Sequence, residues 1–110
     1  MDQPGPDLLQ GTLDLLILKT LTLGPRHGWA ISRRIREMSR EALTVNQGSL
    51  YPALYRLEAR GWIAGELGRS PEGRAIKLYR ILPAGRRQLA QEIRTWQQFA
   101  AAIGYVLQAS

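Results

Sequence analysis

Asn46-Gln47-Gly48-Ser49-Leu50-Tyr51-Pro52-Ala53-Leu54-Tyr55-Arg56-Leu57-Glu58 leads into Arg60-Gly61-Trp62-Ile63, then through Arg69-Ser70-Pro71-Glu72-Gly73-Arg74 to Ile76-Lys77-Leu78-Tyr79-Arg80-Ile81-Leu82. At 100° per residue Leu50, Leu54 and Leu57 share one side of a helix. The opposite side carries Gly48, Pro52, Tyr55, Arg56 and Ala59, flanked by Ser49 and Tyr51. Small residues there allow close approach to a surface, and Tyr and Arg supply hydrogen bonds. After Gly61, Trp62–Gly68 and Ala75–Leu82 read as two strands joined by a Pro-Glu-Gly tip. A helix followed by a hairpin with a basic tip is the order of a winged helix-turn-helix, and it points to double-stranded DNA.

Pro52 makes the start of this helix ambiguous. With Ser49 as N-cap the proline falls in the first turn at little cost; with Asn46 as N-cap it lies deeper, where a kink is expected. A loosely wound start between the two accommodates both.

Outward from this block, Leu8–Leu23 is apolar around most of a helix, interrupted by Gln10, Asp14 and Lys19, and Gly24-Pro25 stops it. A second helix begins near Gly28, with Ile31, Ile35 and Met38 as its core face and Ser32, Arg33, Arg36 and Glu37 outward. Ser39–Val45 links it to the third. The last helix starts at Pro83, a favourable first position, and runs to about Gln108. Leu89, Ile93, Trp96, Ala100, Ile103 and Leu107 repeat at alternating steps of 4 and 3, a heptad seam, which Phe99 and Val106 widen. Such a helix projects beyond a small domain and leaves its stripe wet unless a second copy covers it. The chain thus divides into an arm (1–7), a mainly α winged helix-turn-helix with a two-stranded wing (8–82) and a C-terminal dimerisation helix (83–110), the unit of a homodimer.

Composition narrows the chemistry. The 110 residues carry fifteen basic against nine acidic side chains, a net charge of +6, and only Lys19 and Lys77 are lysines. Arginine forks grip phosphates and guanine edges with two bonds, although a GC-rich genome produces the same bias. Without cysteine there is no disulfide, thiolate metal site or cysteine nucleophile. His27 is the single histidine, with no metal-ligand pair around it, and no nucleophile–base set or phosphate-cradling loop is visible. No cofactor and no enzymatic activity are expected. Asp2 and Asp7 stand where a signal peptide carries positive charge, and Leu8–Leu23 is too short and too interrupted to span a bilayer; a cytoplasmic protein with no membrane partner is expected.

Residue types assign roles on DNA. Gln47 is the base reader, since an amide bonds adenine N6 and N7 together. Ser49, Tyr51 and Tyr55 suit phosphates, and Arg56 either bases or phosphates. Arg69, Arg74 and Lys77 bracket the wing tip. Each has a plainer reading: a solvated amide for Gln47, packing against the wing for Tyr51, a solvated turn for the wing. Arg33 and Arg36 are further candidates for the DNA backbone. A winged-helix module that binds protein through the Tyr51/Tyr55 face is the alternative.

These residues resemble the PadR (phenolic-acid-decarboxylase-regulator) family of bacterial transcription factors, in its short form with one C-terminal helix. The resemblance runs through Gly11-Thr12-Leu13-Asp14-Leu15-Leu16-Ile17-Leu18, His27-Gly28-Trp29-Ala30-Ile31, Gln47 to Glu58, Gly61-Trp62-Ile63, Gly73-Arg74, Lys77-Leu78-Tyr79-Arg80 and Gly85. It implies a winged-helix dimer that represses nearby genes, with the C-terminal helix packing on the partner's first helix. It also implies, for some short members, a flat aromatic effector held between subunits against a tryptophan; Trp96 stands at that position, with Leu8, Leu9 or Asp14 of the partner near it. As a seam residue Trp96 would instead simply fill the dimer core. The chain departs from the family pattern at Trp29 (usually Tyr), Leu78 (usually Tyr) and Leu82 (usually Thr), the last removing a cap worth about 1 kcal/mol.

Overall fold

The computed structural model describes residues 10–110; the arm, Leu8 and Leu9 lie outside them. Four helices and three strands follow in the order α1 (Gln10–Leu21), β1 (Arg26–His27), α2 (Gly28–Met38), α3 (Gln47–Ala59), β2 (Ile63–Arg69), β3 (Ala75–Ile81) and α4 (Pro83–Gln108). This is the winged helix-turn-helix the sequence predicts, with one strand more. β2 and β3 form the antiparallel hairpin, in register from Ile63↔Ile81 to Arg69↔Ala75. The two-residue β1 adds to the other edge of β3, pairing Arg26 with Tyr79 and His27 with Leu78.

The core is the meeting of three helices over the base of the hairpin. Leu13, Ile17, Leu18 and Leu21 of α1 join Ile31 and Ile35 of α2, Leu50, Ala53, Leu54 and Leu57 of α3, Ile63, Tyr79 and Leu89, all buried. α1 packs against α2, α3, β3 and α4, which is why leucine and isoleucine surround it. Its last turn closes at Leu21, two residues before the predicted end, with Thr22, Leu23 and Gly24 donating back to Lys19, Thr20 and Leu21 carbonyls.

Two expectations need correction. Met38 is not on the core face of α2: at the final position of the helix it is 40% exposed. The heptad seam of α4 is divided between two uses. Leu89 is 7% exposed inside the chain's own core, and Ile93 is partly buried against that core. The outward part of the seam starts at Trp96. Beyond it Phe99, Ile103, Val106 and Leu107 are exposed and Ala100 is half-buried. The base of α4 is held close by Gly85, where a Cβ would come within 2.1 Å of the Trp62 carbonyl oxygen.

Candidate nucleic-acid interface

α3 is capped by Asn46, not Ser49, and is not loosely wound. Asn46 is extended (φ −80°, ψ 157°) and its Oδ1 accepts the Ser49 amide at 2.9 Å. The helix then runs unbroken through Pro52. The bond that Pro52 cannot donate would have reached the Gly48 carbonyl; both residues are on the exposed side, where water replaces the lost partner.

Among the described residues α3 offers an open surface. Gln47, Gly48, Ser49, Pro52 and Tyr55 are exposed, Tyr55 to 77%. The Gln47 and Tyr55 side chains have no hydrogen-bond partner among the described residues. Tyr51 is 43% exposed and lies across the first residue of α2: a Cβ on Gly28 would sit 2.5 Å from its hydroxyl oxygen. Gly28 is thus the residue that lets α2 and α3 approach. Beside it His27 and the half-exposed Trp29 stack with ring centroids 4.7 Å apart, which gives the large Trp29 ring a place on the surface.

Arg56 is placed differently from its neighbours on the wheel. Its Nη2 donates to Asp14 Oδ1 at 2.6 Å, and the carboxylate is 4% exposed against 27% for the arginine side chain. Burial raises the Asp14 pKa above its ordinary 3.8, opposed by the Arg56 hydrogen bond and charge and by the charge of Arg60. The guanidinium points into the molecule toward α1.

The wing tip is a closed turn. The Ser70 amide donates to the Arg74 carbonyl at 2.9 Å, Ser70 Oγ accepts the Arg74 amide, and Gly73 takes φ +86°. Arg69 folds over the tip and donates to the Gly73 carbonyl at 2.8 Å, while Arg74 is exposed. Lys77 is set back from the tip: its Nζ donates to Glu58 at 3.1 Å, tying the wing to the last turn of α3. Of the eight residues singled out for DNA, Gln47 and Ser49 are exposed in the first turn of α3, Tyr55 is exposed further along it, Tyr51 borders α2, Arg69 and Arg74 crown the wing, and Arg56 and Lys77 are held by carboxylates. On α2, Arg33 and Arg36 are exposed and pair with Glu37 and Glu41, beside a cleft of about 190 Å³.

A second concavity, about 340 Å³, lies between α1 and α4. Gly11, Thr12 and Leu15 form one wall; Gln88, Glu92, Trp96 and Phe99 form the other. Asp14 of the same chain does not line it, its carboxylate being bonded to Arg56. No helix among the described residues is long and apolar enough to cross a membrane.

The Asp14–Arg56 contact, the Tyr51–Gly28 contact and β1 were not read from the sequence. Only the first left a signal: a lone carboxylate in a leucine-rich helix requires a buried cation.

Comparison with known proteins agrees with this architecture. A model of the transcriptional regulator PadR-like family matches residues 17–91. The transcriptional regulator Rv3488 of Mycobacterium tuberculosis is 41% identical over 68 residues, 62% of this chain; the match spans 63% of that relative, less than two thirds of its length. A transcriptional regulator of Clostridium thermocellum superposes with a TM-score of 0.80 at 30% identity, covering 87% of this chain and 93% of that one. A PadR-like transcriptional regulator of Bacillus cereus gives 0.74 at 27% identity, covering 92% and 96%. With the family model spanning most of the winged helix and the start of α4, the chain belongs to the transcriptional regulator PadR-like family.

Proposed function

We propose that the chain is a sequence-specific DNA-binding repressor rather than an enzyme, acting in the cytoplasm as a homodimer on an inverted repeat. The observation that carries this is the open surface of α3: Gln47 and Ser49 in the first turn of a capped helix, and Tyr55 further along it, are exposed among the described residues. The first turns of such a helix are what enters a major groove, and the exposed Arg74 at the wing tip supplies charge for the flanking backbone. The apolar outer half of α4 supports pairing of two copies, which sets two α3 helices on half-sites about one turn, roughly 34–36 Å, apart. Selection from a random duplex library at moderate salt tests this. An inverted repeat should be enriched; a folded, dimeric protein that enriches no motif would overturn it. A reporter gene placed behind the enriched site should fall in output when the protein is present.

The groove between α1 and α4 supports a finer reading, a planar aromatic effector stacked on Trp96. Such a ligand relieves repression only by binding the DNA-competent and incompetent dimers with different affinity. In a Trp29→Phe/Trp62→Phe protein, fluorescence reports Trp96 alone; planar aromatics should quench it and lower operator affinity. Full response after Trp96→Ala would remove the platform.

A further inference from the structure

By its place on the helical wheel Arg56 belongs with Tyr55 and Pro52 on the face offered to DNA, yet its guanidinium is drawn to the other side of the helix. Its bond to Asp14 is the one side-chain hydrogen bond joining α1 and α3 among the described residues. Everything else between these helices is the shared leucine and isoleucine core. Apolar packing is non-directional and leaves a helix some freedom to rotate about its axis, whereas a charge-assisted hydrogen bond of 2.6 Å fixes direction. The pair is also poorly built for stability alone. Asp14 is almost fully desolvated, and Arg56 Nε is buried without a partner. Shape-matched apolar residues commonly replace such pairs without loss of stability, so orientation is the property that the pair adds.

We propose that Asp14 and Arg56 are positioning residues: their ion pair sets the rotation of α3 against α1, so that Gln47 meets its base edge in register, and Arg56 itself does not touch DNA. This rests on the DNA-reading function proposed above. It makes a prediction opposite to simple electrostatics. Removing the negative charge of Asp14 and freeing an arginine beside the recognition face should tighten DNA binding if Arg56 were a restrained phosphate contact. If the pair positions α3, the same change should weaken binding to the operator alone.

The test uses the full chain, with the duplex selected by the wild type and a scrambled duplex of equal length, in a salt series. Asp14→Asn should hold the scrambled duplex as well as the wild type does, or better. Its operator affinity should fall roughly ten- to hundredfold, the scale of one misread base pair. The double variant Asp14→Leu/Arg56→Met, folded by circular dichroism, should lose the same preference with an unchanged slope of log K against log salt. It also decides the matter if Asp14→Asn does not fold. Arg74→Ala is the benchmark, since loss of a phosphate contact reduces that slope by about one. The proposal is overturned if Asp14→Asn keeps or tightens operator binding, if the folded double variant keeps operator preference, or if its slope falls like that of Arg74→Ala. A wild type without preference between the duplexes would instead overturn the DNA-reading function beneath it.

Discussion

A carboxyl group that loses its water on folding leaves a trace in the pH dependence of stability. Burial raises the Asp14 pKa above 3.8, so between that value and the raised one the folded chain holds a proton that the unfolded chain has released. The contribution of this group is therefore full below 3.8 and is lost as pH rises through the folded pKa. Urea midpoints across this range should show the wild type losing stability relative to Asp14→Asn as pH rises; a constant difference would mean that the bond and charges of Arg56 and Arg60 offset the burial in full. Gln47 gives a different residue-scale expectation. With no side-chain hydrogen-bond partner among the described residues, Gln47→Ala should leave stability within about 0.5 kcal/mol and cost about 1–3 kcal/mol of operator affinity, confined to one base position. Selection repeated with the variant checks this, since the motif should relax there and nowhere else. Arg40 tests backbone strain: it and Glu41 have φ of +56° and +68°, which disfavour any residue with a Cβ. Arg40→Gly should raise the urea midpoint, by an amount equivalent to roughly 0.5–1 kcal/mol after the flexibility of glycine in the unfolded chain is counted. The open face of α3 was legible in the sequence because a helical wheel gives the direction of each Cβ. The role of Arg56 was not, because the wheel says nothing of where the tip of a long side chain goes, and its partner Asp14 lies 42 residues away.

Elements were legible to the degree that their signals are local. α4 was readable at both ends from Pro83 at its first position and from a repeat sustained over its length. α3 offered two capping residues, Asn46 and Ser49, and the choice between them turned on whether Pro52 could be carried inside the helix; it is, because the carbonyl it leaves unbonded faces water. β1 had no signal, since two residues show no period and are a strand only because β3 lies alongside. Where elements meet, a single atom decides the packing. A Cβ at position 85 would lie 2.1 Å from the Trp62 carbonyl oxygen and 2.9 Å from the Ile81 side chain. Backbone cannot swing aside as a side chain does, so Gly85→Ala must push the first turn of α4 away from the hairpin. The expected cost is about 1–3 kcal/mol, read as a lower urea midpoint, with a weaker dimer because α4 is displaced as a unit. A variant as stable as the wild type would mean that α4 is not seated on Trp62.

At the scale of the whole molecule the long axis is 60 Å and the radius of gyration 15.6 Å, against about 13 Å for a compact chain of this length. The projecting half of α4 is where an elongated shape and unburied apolar surface coincide. Trp96, Phe99, Ile103, Val106 and Leu107 are between 43% and 78% exposed and gather on one side of that half. A stripe of this kind is favourable in water only when covered, and a second α4 with the same repeat is the surface that matches it. Direction on the helix makes the idea testable. Ile103 lies on the stripe, whereas Tyr105, 73% exposed, points to the opposite side at 100° per residue. Ile103→Glu should yield a folded monomer in sedimentation, and Tyr105→Glu should remain dimeric. The monomer should also lose operator affinity by about 10²–10⁴-fold, because the second half-site is no longer engaged at the high effective concentration that a linked pair provides. If both variants stay dimeric, the copies meet through some other surface; if both dissociate, added charge rather than the stripe is responsible. Dissociation of Ile103→Glu alone would assign the assembly, and with it the spacing of the two recognition helices, to this face of α4.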